Sequence, residues 1–131
     1  VITFDAVRGF DVHTIKLDID YYGENIGNIL LVPHSVEMYE IHISSLNFNK
    51  NISPRVSVME AINIFKEALH FGFTYMDKLQ KVIAMIPLSN TFAIFAAKRV
   101  GMSFEGVLKK GHLFENQMID IEIYSLDRGD L

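Results

Sequence analysis

The sequence predicts an α/β or α+β fold in which one mixed sheet is flanked by helices. Three observations carry that reading: apolar residues alternate through the first third of the chain, recur at helical spacing between residues 54 and 75, and return in strand-like runs after residue 81. Half of the 131 residues are apolar. That is enough for one core removing about two-thirds of the unfolded surface from water. No internal repeat, low-complexity run or linker breaks the pattern, so residues 1–131 read as a single domain.

Ile2 to Val7 and His13 to Tyr21 both alternate; Ile15, Leu17, Ile19 and Tyr21 on one side make the second run a strand. Gly23-Glu24-Asn25 reads as a turn into a second strand, Asn25 to Pro33, which Pro33-His34-Ser35 ends. Val36 to Leu46 alternates again, with Met38, Glu40, His42 and Ser44 on one face and Tyr39, Ile41 and Ile43 on the other. After a polar loop from Asn47, Ser53 is the expected N-cap and Pro54 the first helical residue. Val58, Ile62, Phe65, Leu69 and Phe73 then carry one long helix to about Tyr75. Lys81 to Ile86 is a compact strand. Ser89 or Asn90 caps a second helix that runs to Val100 and stops at Gly101. Phe104 to Leu113 and Met118 to Leu126 are two strands joined around Phe114 to Gln117. The expected order is three strands, helix, strand, helix and two strands.

Composition removes several classes of function. With no cysteine there are no disulfides, thiolate metal sites or cysteine nucleophiles. The longest apolar runs fall far short of the ~20 residues that span a bilayer, and a cytoplasmic setting without membrane contact is the expectation. Twelve Lys and Arg against sixteen Asp and Glu give a net charge of -4 without a basic cluster, which argues against nucleic-acid binding. His13, His34, His70 and His112 lack metal-ligand spacing, so no metal site is expected. Phe65, Phe71, Phe73 and Tyr75 read as core, whereas Phe92, Phe95 and Phe104 suit either a core or a dimer contact.

The third strand places Glu40 and His42 side by side. Either side chain can take a proton from a bound group, directly or through water. The competing reading is a polar face that is merely solvated or pairs with Lys and Arg.

The stretch from Pro87 to Asp120 is more specific. It reads Pro87-Leu88-Ser89-Asn90, a helical run ending at Arg99-Val100-Gly101, then Phe104-Glu105-Gly106-Val107-Leu108-Lys109 and Ile119-Asp120-Ile121. This order resembles the C-terminal half of the GNAT acyl-CoA N-acyltransferases, closest to the branch that acetylates ribosomal-protein N-termini. Met102 replaces that branch's Phe, and Lys109 its Arg. The resemblance extends from Asp18 to Arg128 and puts Ile26-Gly27-Asn28-Ile29 in the family's second strand. It implies a GNAT-like, mostly antiparallel sheet with a shortened N-terminal helical region, since only Val1 to Leu17 precede it.

The resemblance also implies a site. Acetyl-CoA would lie between the strand before the long helix and that helix's first turn, with pyrophosphate at Arg55, Val56, Ser57 and Val58. Val56 and Val58 stand where the family has glycines. Asn90 corresponds to the residue that binds the pantetheine arm, while Ala93 and Ala97 stand where Ser and a Tyr general acid are common. Glu40 matches a frequent family base, with His42 beside it. The implied function is acetyl transfer to an amine, on a small molecule or a protein N-terminus, by a chain that can pair with a second copy. The alternative is a GNAT-fold binding or assembly protein that has lost acetyl transfer, similar to compact ones encoded by bacteriophages.

Overall fold

A computed structural model describes residues 2–8, 14–44 and 57–130. Within them the chain forms β1 (Ile2–Arg8), β2 (Ile15–Tyr21), β3 (Glu24–Pro33), β4 (Met38–Ser44), α1 (Val58–Tyr75), β5 (Lys81–Pro87), α2 (Thr91–Arg99), β6 (Ser103–Phe114), β7 (Gln117–Asp127) and a 3-10 turn at Arg128–Asp130. The strands make one seven-stranded sheet in the order β1-β2-β3-β4-β5-β7-β6. Every neighbouring pair is antiparallel except β4 and β5, whose parallel pairing follows from the α1 crossover between them.

Two expectations need correction. The run beginning at Ile2 is a full strand, paired with β2 from Ile2↔Tyr21 to Arg8↔Ile15, so four strands precede α1. Its alternation acquires meaning only from the edge that β2 offers. The second correction concerns the start of α1. Ser53, Pro54, Arg55 and Val56 lie outside the described residues, and the helix begins after Ser57. The Ser57 hydroxyl accepts the Glu60 N–H at 3.2 Å, and the Glu60 carboxylate accepts the Ser57 N–H at 3.3 Å. Ser57 has a Glu three residues on and closes this reciprocal capping box; Ser53 has Val56 there and cannot. The other expected stops hold. Asn90 caps α2 through the Ala93 N–H, and Gly101 leaves it with φ 95°, a conformation that favours glycine.

One face of the sheet carries the core. Leu17, Ile19, Ile29 and Leu31 pack with Ile64, Phe65, Ala68 and Leu69 of α1, and Val82, Ala84 and Ile86 continue the layer toward α2. The period-2 and period-3.6 patterns of the sequence thus meet in one apolar layer. Each fully buried Leu or Ile contributes about 1.5–3 kcal/mol relative to exposure. Among the described residues, no helix is long and apolar enough to cross a membrane.

The connection from α1 to β5 is locked from the far end of the chain. Arg128 donates from Nε to the Leu79 carbonyl at 2.7 Å and from Nη2 to the carbonyls of Met76 at 2.6 Å and Asp77 at 3.1 Å. Its guanidinium also lies 5.4 Å from the Phe73 ring centroid. These carbonyls belong to the C-cap and the turn that follows α1, and a planar cation with several donors can serve all three. Arg128→Ala is expected to destabilise the fold by about 2–3 kcal/mol, measured by urea unfolding, because the carbonyls lose a charged donor. Arg128→Lys is expected to recover less than half, since a point charge cannot fork across three acceptors.

Candidate active site

The site arises where the sheet splits. β4 and β5 share only three register pairs, Met38↔Lys81, Tyr39↔Val82 and Glu40↔Ile83. Beyond them β4 stays with β3 as far as Ser44↔Asn28, and β5 stays with β7 as far as Pro87↔Ile121. Each strand follows its antiparallel partner, and the two diverge. Pro87 adds to the break, because it has no N–H to offer a ladder.

A cavity of about 670 Å³ occupies the divergence. Ile41, Ile43, Ala84 and Ile86 line it from the helix side, with Phe65 of α1 and Phe92, Ala93 and Ala96 of α2 above. His42, Met85 and Pro87 line it as well, and these belong to the opposite face by the alternation of their strands. The cavity therefore lies in the gap between the two strands. Its wall is mainly apolar, as small-molecule sites usually are.

Glu40 and His42 stand together as their spacing implied. The Glu40 side chain is only 14% exposed, and its Oε2 lies 2.9 Å from His42 Nε2. Its other oxygen, Oε1, lies 2.8 Å from His34 Nε2. One carboxylate thus holds two imidazoles, whose own side chains are 41% exposed at His34 and 50% exposed at His42. With Nε2–H donating to Glu40, the His42 ring keeps its Nδ1 lone pair, and His42 is the member of the trio that lines the cavity. The two imidazoles bond different oxygens, and among the described residues no three His, Asp or Glu side chains converge as a metal ion requires.

His34 escaped the sequence reading, where it counted as a scattered histidine. It is brought back over Glu40 by the β3–β4 turn, in which the N–H groups of His34 and Ser35 donate to the Met38 carbonyl at 2.9 and 3.1 Å. The Ser35 hydroxyl accepts the Met38 N–H at 3.2 Å. The sequence carried no local signal for this, because it depends on the register in which Pro33 pairs with Tyr39.

The expected cofactor residues are divided. Arg55 and Val56 lie outside the described residues. Ser57 spends its side chain on the cap, and Val58 lines the cavity at the first turn of α1. The N–H groups of Val58 and Met59 have no intrahelical acceptor, since the ladder begins at Ala61 N–H to the Ser57 carbonyl. Asn90 lines the cavity while its Oδ1 accepts the Ala93 N–H at 3.1 Å, which leaves its NH₂ as a donor. Ala93 is a wall residue; Ala97 is fully buried in the core.

Among the described residues, no side-chain hydroxyl lines the cavity in place of those missing at positions 93 and 97. Tyr124 is the candidate by type, but it is fully buried, does not line the cavity, and donates to Glu122 Oε1 at 3.4 Å. Burial, then the negative charge of Glu122, hold its phenol above the ordinary tyrosine value.

No protein-family model matches the sequence, and no curated protein sequence matches it. Solved structures do. The spermidine N-acetyltransferase from Vibrio cholerae in complex with CoA and spermine superposes with a TM-score of 0.76 at 17% identity, covering 92% of this chain and 69% of that one. Its dodecameric structure in an intermediate state gives 0.75 at 17% identity, with 91% and 67% covered. A chimera of the same enzyme with hSSAT gives 0.74 at 17% identity, with 92% and 72% covered. At this identity the likeness is one of fold: the chain has the mixed sheet and flanking helices of the GNAT N-acetyltransferase fold.

Proposed function

We propose that the chain is an acyl-CoA-dependent N-acetyltransferase acting on an amine, with His42 as the base. The carrying observation is that one cavity occupies the gap between β4 and β5 and has His42 in its wall, so a thioester and an amine bound in that gap can meet beside an imidazole. The CoA and spermine bound by the similar Vibrio cholerae enzyme support this reading. Spermine also makes a small cationic amine the favoured acceptor class. Here Glu40 supplies negative charge on the open face, where Asp18 is paired with Lys16 at 3.3 Å.

The residues fit acetyl-CoA unevenly. The apolar wall suits a pantetheine arm, with the Asn90 NH₂ as its polar contact. The amides of Val58 and Met59, at the positive end of α1, suit a diphosphate. Glu60 opposes it, because the capping box fixes a carboxylate in the same turn. When bound, acetyl-CoA supplies an activated acyl thioester.

The chain's own residues then handle the proton. His42 Nδ1 takes it from the acceptor nitrogen as the new C–N bond forms and the C–S bond breaks. Glu40, bonded to His42 Nε2, fixes the tautomer and stabilises the imidazolium that results. Glu40 is a positioning residue in this scheme, and His34 holds its second oxygen. Ala93 and Ala97 supply no acid, which a leaving thiolate with an ordinary pKa of about 8.5 tolerates.

Three outcomes are expected. Calorimetric titration with acetyl-CoA gives saturable binding that Ala93→Phe abolishes by filling the cavity; no binding at millimolar ligand overturns the proposal. Glu60→Gln keeps the cap, since Gln serves at that position, yet removes a like charge, so CoA binds several-fold tighter. Equal or weaker binding would place the diphosphate elsewhere. Finally, His42→Ala lowers kcat with spermine by about 10²–10⁴-fold while the KM for acetyl-CoA stays nearly constant. Glu40→Gln lowers kcat less and shifts the pH profile, as expected of a group acting through His42; unchanged turnover in both variants removes the pair from the mechanism.

A further inference from the structure

The cavity has two unlike ends, and the chain topology fixes their order. β4 and β5 are parallel, so α1 starts at the level where they have parted and returns toward the level where Lys81 pairs with Met38. Val58, Ala61 and Phe65 of α1 line the cavity at successive depths, spanning about 10 Å at the helical rise. α2 returns in the same sense, from the end of β5 to Ser103 of β6, which stands level with Ile83 through Ser125. Asn90 is thereby at the wide end and Ala96 nearer the narrow one. The narrow end closes at Ile41 and Ala84, the first residues past the last pair, Glu40↔Ile83.

This narrow end is dry and uncharged. Ala61, Phe65, Ala84 and Ala96 are each at most 5% exposed, yet all four border the cavity. Three of them are alanines, and they come from three different elements. Ala84 sits on the buried face of β5 between Val82 and Ile86, a position where a branched side chain would suit the strand. Protein interiors leave few voids larger than a water molecule, and a hollow walled by apolar groups receives apolar ligands. His42 follows Ile41 in β4, about 3.3 Å further along, so the hollow begins next to the imidazole.

We infer that the narrow end seats the acyl chain of the donor, and that it takes an unbranched aliphatic acyl group longer than acetyl, with butyryl as the fitting length. The inference rests on the acyl-CoA reading of the cavity. Phosphates at the first turn of α1 and a pantetheine arm at Asn90 fill the wide end, and the amine stands at His42 Nδ1. The chain beyond the thioester carbonyl is left the hollow walled by Ala61, Ala84 and Ala96. The transfer itself is unchanged by chain length: the amine nitrogen bonds to the acyl carbon, the C–S bond breaks, the thiolate leaves and His42 takes the amine proton. A dicarboxylic acyl group does not fit, because its second carboxylate would be buried among alkyl groups without a partner.

Calorimetric titration without an acceptor amine compares acetyl-, butyryl- and succinyl-CoA and reads binding rather than turnover. Butyryl-CoA is expected to bind about 15-fold tighter than acetyl-CoA, at roughly fourfold for each of two buried methylenes. Succinyl-CoA, with a chain as long as butyryl, is expected to bind more weakly than acetyl-CoA. Ala84→Val suits a strand and adds two methyl groups to the hollow, so it is expected to bring the ratio of butyryl to acetyl affinity near one. Ala96→Leu keeps a good helix former and fills the same hollow from α2, providing an independent variant with the same expected ratio. A ratio is insensitive to a general loss of affinity or of folded material. Equal binding of butyryl- and acetyl-CoA by the unmodified chain overturns the inference and leaves the acyl-CoA reading standing. So does succinyl-CoA binding as tightly as butyryl-CoA, or a ratio that survives in both variants. Failure of all three donors to bind overturns the acyl-CoA reading, and the inference with it.

Discussion

The structure depends on one constraint, the conflict of loyalties at the only parallel strand pair among the described residues. β4 is bound along its length to β3, and β5 to β7, whereas the two share only the pairs from Met38↔Lys81 to Glu40↔Ile83. Antiparallel ladders win over the slightly less stable parallel one, so the sheet opens. The opening costs backbone hydrogen bonds that the rest of the sheet makes. It creates a cavity which neither helix closes, because Ala93 and Ala96 of α2 and Ala61 of α1 face it with the smallest side chain that still favours a helix.

Electrostatics around the opening are divided by face. On the helix side, α1 presents the positive end of its dipole, yet its capping box keeps the Glu60 carboxylate there. A cap that stabilises the helix by about 1 kcal/mol thus works against an anion at the same place. On the open side, Glu40 is shielded and fully engaged by two imidazoles, so the group presented to the cavity is His42. The chemistry proposed follows from this allocation: the carboxylate orients and the imidazole exchanges the proton.

Local pattern made much of the fold legible. Period-2 alternation placed Glu40 beside His42, helical spacing placed α1, and Asn90 and Gly101 marked the ends of α2. Those features depend on neighbours in sequence. The resemblance around Pro87 to Asp120 identified the fold, which the structural likeness bears out. What stayed hidden depends on pairing. The strand at Ile2 needed the edge of β2, His34 needed the register of a hairpin, and the cavity needed two strands to part. The alternation of β6 and β7 likewise could not reveal that they overshoot β5, since each strand looks complete by itself. The start of α1 was the exception: Ser57 and Glu60 spelled a capping box, and the Pro at position 54 drew the reading four residues too early.

Hydrogen exchange with and without CoA tests the opened sheet most directly. If the cofactor lies in the split, amides at residues 41–43, 58–59 and 88–93 slow together on binding, because they border the cavity from β4, α1 and the entry to α2. Strands β1 and β2, remote in the sheet order, are unaffected. Slowing that leaves both 41–43 and 88–93 unchanged would contradict the account, whatever the affinity.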